Sequence, residues 1–184
     1  MTTPSPYSSP YQSPGVPPVL VPTYAYASWI QRVGAYLIDQ LIALATLIPM
    51  AIGLILFFAG SDITSHTNAA GEDVIDTWSL NGVAVSGIVV GVLGFVFSFA
   101  FGLWNVVFRQ GGPKAATLGK SALGLTLVKE TTGKPVGAGI SFLRQVLHVL
   151  DSAICYLGYL WPLWDAKRQT ISDKCVGTVV VRRG

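Results

Sequence analysis

The stretch Trp29–Gly60, WIQRVGAYLIDQLIALATLIPMAIGLILFFAG, decides the fold. Its second part, Gln40–Gly60, carries no formal charge. It is long enough to cross a bilayer, which takes about 20 apolar residues. Its first part carries Arg32 and Asp39, with Tyr36 between them. At helical spacing the two charges share one face, two turns apart. The segment Arg144–Asp151 repeats the arrangement with His148 in the middle. A charge inside a membrane segment costs several kcal/mol unless it snorkels, pairs or lines a wet cavity. Arg32 stands at the head of the stretch, where its long side chain can snorkel. Asp39 lies about 10 Å deeper by the 1.5 Å helical rise, and a carboxylate cannot reach back so far. Asp39 and Asp151 therefore each need a partner or a raised pKa.

Composition places these segments in a membrane protein. Of 184 residues, 11% are charged and 51% hydrophobic, against about 25% charged in an ordinary soluble domain. The net charge of +3 sits on loops and the C-terminal end, so it reads as topology rather than nucleic-acid binding. No basic residue precedes Arg32, so insertion is expected to rely on the first helix rather than a signal peptide. Cys155 and Cys175 show neither metal-ligand spacing nor a disulfide framework, and both read as structural.

Residues 1–27 hold Pro4, Pro6, Pro10, Pro14, Pro17, Pro18 and Pro22. Such a segment cannot bury enough apolar surface to order itself. It reads as a disordered cytoplasmic tail, or as a docking strip presenting Tyr7 and Tyr11 to a partner. The membrane domain then covers residues 28–182. Its first helix is expected over 28–59 with a kink at Pro49. Residues 61–78 read as a polar loop, with Asp62, Glu72, Asp73 and Asp76 and no Lys or Arg. The second helix is expected over 80–108, with Gly87 and Gly91 forming a small-residue face for close helix contact.

Residues 109–139 are basic, with Arg109, Lys114, Lys120, Lys129 and Lys134 against Glu130 alone. By the positive-inside rule the N-terminus and this loop are cytoplasmic and residues 61–78 lie outside. Within the loop, GGPKAATLGKSALG resembles a phosphate loop, but Lys114 occupies the place of its first glycine. No nucleotide is expected. Residues 125–129 and 177–182 read as two partnered strands. The third apolar block, 140–164, is broken, re-entrant or spanning. A return to the cytoplasmic side is preferred, because a full crossing would put Lys167, Arg168, Lys174, Arg182 and Arg183 outside and separate the strands. The fold class is thus mainly α and integral to the membrane, with two full spans, a third broken segment and a short cytoplasmic strand pair.

Two arrangements of the charged segments are open. Antiparallel, Arg32 meets Asp151 and Arg144 meets Asp39, giving buried ion pairs. Parallel, the two carboxylates share a proton that His148 exchanges, a minimal proton or cation site. No hydrolytic, redox, metal or cofactor constellation is visible, and enzyme activity is not expected.

In order and spacing, five pieces resemble the RDD family of bacterial membrane proteins. They are Trp29-Ile-Gln-Arg-Val-Gly-Ala-Tyr-Leu-Ile-Asp39, Thr117-Leu-Gly-Lys120, Leu123-Gly-Leu-Thr-Leu-Val128, Arg144 through Asp151, and Arg168 through Asp173 leading into Gly177-Thr-Val-Val-Val181. The resemblance makes Arg32, Asp39 and Asp151 the name-giving residues and assigns Asp173 to a C-terminal motif. The family often has a basic or small residue where Gln31 stands and His where Ser172 stands. It implies residence in the bacterial plasma membrane. Some members are thought to exchange cations for protons, and others to serve larger membrane assemblies. Two functions follow as expectations. One is an accessory subunit contacting membrane lipid and other subunits or itself, through Gly87, Gly91, Tyr156, Trp161 and Trp164. The other is a homo-oligomeric cation/proton antiporter using Asp39 and Asp151.

Overall fold

The computed structural model describes residues 25–153 and 156–183. Tyr7, Tyr11 and Cys155 lie outside the described residues. Helix α1, Trp29–Thr46, opens on a capping box: Ser28 Oγ accepts from the Gln31 N–H, and the Gln31 side chain accepts from the Ser28 N–H. Two of the N–H groups that a helix start leaves open are thereby satisfied. The chain was expected to kink at Pro49. The helical hydrogen-bond ladder is interrupted at Leu47, two residues before it, and α2, Ile48–Ala59, restarts with Pro49 in its first turn, where a missing N–H removes no helical bond.

Residues 61–78 are not a loop. They form most of an antiparallel hairpin of β1, Ser61–Thr67, and β2, Asp73–Leu80, closed around Gly71 at φ +80°. Asn68 Oδ1 accepts from the Ala70 and Glu72 N–H groups and shapes the turn. The acidic residues concealed a run of β-branched positions: Ile63, Thr64, Thr67, Val74, Ile75 and Thr77. Nearly every residue of both strands is exposed, so there was no apolar alternation to read.

Helix α3, Gly82–Leu103, is capped by Asn81, whose side chain accepts from the Val83 and Ala84 N–H groups. It continues as a π-helical turn over Trp104–Arg109. The runs Trp29–Ala59 and Gly82–Arg109 are each long and apolar enough to cross a membrane. They touch through backbone. A Cβ on Gly53 would sit 2.3 Å from the Gly91 nitrogen, one on Gly87 2.4 Å from the Phe57 nitrogen, and one on Gly94 2.5 Å from the Met50 nitrogen. The glycine face expected to meet a partner is therefore filled by α2 of the same chain. Ser98 Oγ also donates to the Thr46 carbonyl, 2.6 Å away, beside the break.

The rest of the chain gathers around the start of α1. Helix α4, Leu118–Ala122, leads into β3, Leu125–Lys129. Helix α5, Ala138–Ala153, is followed by α6, Leu157–Leu160, and a 3-10 turn over Trp161–Leu163. The two pieces of this third apolar block lie at 106° to each other, so the block is broken. Helix α7, Ile171–Val176, and β4, Thr178–Arg182, close the fold. β4 pairs antiparallel with β3, from Leu125 opposite Arg182 to Lys129 opposite Thr178. The strands lie where the sequence put them, and their pairing brings the chain back to the end of α1 it left. Ala25–Ala27, assigned above to the tail, run along the other edge of β4. Tyr26 bridges Val181, and the Ala27 N–H donates to the Val180 carbonyl. A small core of Ala27, Ala35, Leu125, Leu127, Val136 and Val180 forms there.

Candidate functional site

Each motif carboxylate has a separate task. Asp173 is fully buried and binds both arginines: Arg32 Nη1 donates to Oδ2 at 2.8 Å, and Arg144 Nε donates to Oδ1 at 2.6 Å. The Thr170 N–H and Thr178 Oγ1 supply the other donors, at 3.2 Å and 3.1 Å. Burial alone pushes the Asp173 carboxyl up, but Arg144 and Arg32 outweigh it and hold the group well below the usual carboxylate range. Asp173 also closes a capping box with Thr170 at the start of α7.

Asp39 accepts from Thr117 Oγ1 at 2.6 Å, the Gly119 N–H at 2.8 Å and Asn105 Nδ2 at 3.0 Å. Asn105 Oδ1 in turn accepts from the Leu118 N–H. The phosphate-loop-like segment thus turns its N–H groups onto a carboxylate and an amide of its own chain. Asp151 plays the same part for α7. It accepts from the Ile171 N–H at 3.1 Å, the Ser172 N–H at 3.4 Å, His148 Nδ1 at 2.7 Å, and Ser172 Oγ. Gly158 packs so closely that a Cβ there would lie 2.2 Å from Asp151 Oδ1.

Neither expected arrangement is present. Arg32 does not meet Asp151, Arg144 does not meet Asp39, and the carboxylates of Asp39 and Asp151 do not share a partner. The reason is Asp173. It lies on α7 between the two arginine-bearing helices and takes both, which frees Asp39 and Asp151 to bind backbone N–H groups. Sequence reasoning named Asp173 but gave it no partner. The pattern Thr170-x-x-Asp173, like Ser28-x-x-Gln31, was a legible capping signal. His148 stacks on Tyr159 with ring centroids 5.3 Å apart and serves Asp151.

Three further residues belong to this cluster. Arg109, read as a topology charge, donates to the Ala116 carbonyl at 2.6 Å and to Ser121 Oγ at 3.0 Å. Lys120 Nζ donates to Gln110 Oε1, and Gln110 Nε2 donates to Ser141 Oγ at 3.0 Å. Burial pushes the Lys120 ammonium down from 10.5 to about 7; Arg144 adds to this, and Asp39 opposes it. Arg32, Asp39, Lys120, Arg144 and His148 all line one cavity of about 710 Å³. Tyr156 and Trp164 are exposed, while Trp161 lies edge-on to Trp164 and under the Lys174 ammonium. Cys175 is free and exposed. No group of three or more metal-ligating side chains is present among the described residues.

Fold and site define a small, mainly helical domain with two potential membrane spans and three carboxylates saturated by internal donors. The chain belongs to the RDD family, whose model matches residues 26–177. It is 37% identical over 161 residues to a protein called Proline-rich antigen homolog in two strains of Mycobacterium tuberculosis. It is 34% identical over 163 residues to the Proline-rich antigen of Mycobacterium leprae. These matches take in 88% and 86% of this chain and 65% and 62% of the relatives, so the chain spans a little under two thirds of their length. No solved structure matches.

Proposed function

We propose that this chain is a non-enzymatic accessory module of a bacterial plasma-membrane assembly. In this reading α1–α2 and α3 cross the bilayer, β1–β2 lies outside, and the two termini with the α4–β4 layer lie in the cytoplasm. The observation that carries it is the state of the carboxylates. Asp39, Asp151 and Asp173 each accept from three or four internal donors. A group so occupied holds architecture, and binding a transported ion there would first require breaking those bonds. The apolar faces support the membrane part. Ile30, Leu41, Leu44, Ile55 and Phe58 are each more than 60% exposed, an apolar surface that suits lipid or partner helices. The excess of Lys and Arg over 109–139 and 167–183 supports the orientation.

The test is purification of the native chain in mild detergent, with native-gel sizing and mass spectrometry of what accompanies it. A stoichiometric hetero-complex is expected. A clean homo-oligomer would shift the weight to cation/proton exchange. That alternative is then decided in liposomes, where an Asp39→Asn chain should leave pH-coupled Na⁺ flux at background if flux depends on this carboxylate.

A further inference from the structure

The carboxylates of the polar cluster are satisfied, but its cations are not. Two guanidinium groups share the single carboxylate of Asp173. Arg32 Nε and Nη2 are buried without an acceptor among the described residues. Arg144 hydrogen-bonds through Nε, and its two terminal nitrogens have no acceptor among the described residues. Among the described residues, Lys120 Nζ donates only to the neutral amide of Gln110. These three cations line the same 710 Å³ cavity, and among the described residues Asp39 is the one carboxylate lining it with them. Unused charged donors in a concave site form a specific deficit: they lack an acceptor carrying negative charge.

We propose that this cavity binds a phosphate-bearing anion, held by Arg144 and Lys120 with Arg32 behind them. Gln40, Gln145 and Tyr36 line the same cavity with polar groups, and Val33, Leu37 and Val106 line it with apolar ones. A phosphate fits the donors whether it is free or is the headgroup of an anionic lipid whose chains pass the apolar lining residues. Only the lipid source rests on the membrane reading above; the anion site does not.

The full chain in neutral detergent is titrated with inorganic phosphate by calorimetry. It is then placed in phosphatidylcholine nanodiscs with and without phosphatidylglycerol, and the lipids it retains are read by native mass spectrometry. Phosphate binding or selective retention of phosphatidylglycerol is expected. The variants Lys120→Gln and Gln145→Glu should each weaken it about tenfold, while Lys129→Gln, outside the cavity, should not. The Gln145 side chain is exposed and makes no hydrogen bond among the described residues, so Gln145→Glu tests the site without disturbing the clamp that Asp173 forms on Arg32 and Arg144. Binding of phosphate without lipid preference assigns the site to a soluble anion. Lipid retention without a phosphate response assigns it to a headgroup. Binding of neither, or binding in both variants as strong as in wild type, overturns the site. A chain that binds phosphate but does not enter nanodiscs loses the membrane reading and keeps the site. A chain that enters nanodiscs and binds neither probe loses the site alone.

Discussion

The molecule is held together in two different ways. In the α2–α3 region, two apolar helices meet at Gly53, Gly87 and Gly94, backbone against backbone, and Ser98 Oγ to the Thr46 carbonyl is the notable polar tie. Around the start of α1, short elements too small to fold alone are tied by Asp39, Asp151 and Asp173. Surroundings decide which device works. On the membrane reading proposed above, α2 and α3 meet in lipid, where there is no hydrophobic drive to associate, so close van der Waals packing of small residues takes over. In the polar layer, α4 and α7 are only five and six residues long. Their open N–H groups are a large share of each helix, and a carboxylate aimed at them removes that cost.

The comparison breaks most visibly at Asp173. Asp173→Asn leaves Arg32 and Arg144 buried with no counter-charge, a change that typically costs about 3–5 kcal/mol. A thermal melt monitored by size exclusion should show the variant unfolded or aggregated in detergent. A monodisperse Asp173→Asn chain melting like wild type would remove the clamp from the account. Gly87→Val attacks the other device. Its Cβ alone would lie 2.4 Å from the Phe57 nitrogen, so the helices must part, at about 2–3 kcal/mol for overpacking. Crosslinking between cysteines placed on α2 and α3 should fall, while the α4–β4 layer keeps its protection in hydrogen exchange.

The two regions were unequally legible in the sequence. The two long helices could be read from Gln40–Gly60 and residues 80–108 as long and apolar enough to cross a membrane, because a long uncharged run has few alternative meanings. The β3–β4 pair could be read because its β-branched runs are short and bounded by turns. Arg32, Asp39, Arg144 and Asp151 could be picked out as costly, but their partners could not. Helical periodicity says which residues share a face of one helix, and it is silent on which helix comes to meet that face. Asp173 is the decisive residue, and it lies in a six-residue helix with no period to read. The exposed hairpin was missed for the opposite reason, because neither face is buried and no alternation was selected.

Gly119→Ala sharpens the comparison, because both devices meet there. A Cβ would lie 2.0 Å from the Ala35 carbonyl oxygen and 2.9 Å from the Asp39 carboxyl carbon. It would push α4 off α1 and lengthen the Gly119 N–H bond to Asp39. α4 is short and can shift, so the cost should be lower than at Gly87, about 1–2 kcal/mol. A drop in melting temperature with faster exchange confined to residues 117–123 is expected. Loss of the whole fold would mean that α4 is a keystone rather than a tied loop.

The smallest effect, and the most informative about the cavity, is the pH dependence of Lys120. Its ammonium faces Arg144 of α5, Arg32 and Asp39 of α1 and Asp173 of α7, with Gln110 as its hydrogen-bond partner. In the unfolded chain the lysine keeps its proton up to about 10.5; in the fold it keeps it only up to about 7. Below 7 both states are protonated, and the full cost of burying the charge falls on the fold. Between 7 and 10.5 the fold releases the proton and the unfolded chain does not, so this residue makes stability climb with pH across that window. Lys120→Met should flatten that rise and melt higher than wild type near neutral pH. An anion in the cavity reverses the balance, because it stabilises the charged lysine. Phosphate should therefore raise the wild-type melting temperature more at about pH 6 than at about pH 9, and Lys120→Met should lose that difference. If wild type and Lys120→Met respond to phosphate alike at both pH values, the lysine faces no bound anion, and its burial is simply a cost that the rest of the clamp carries.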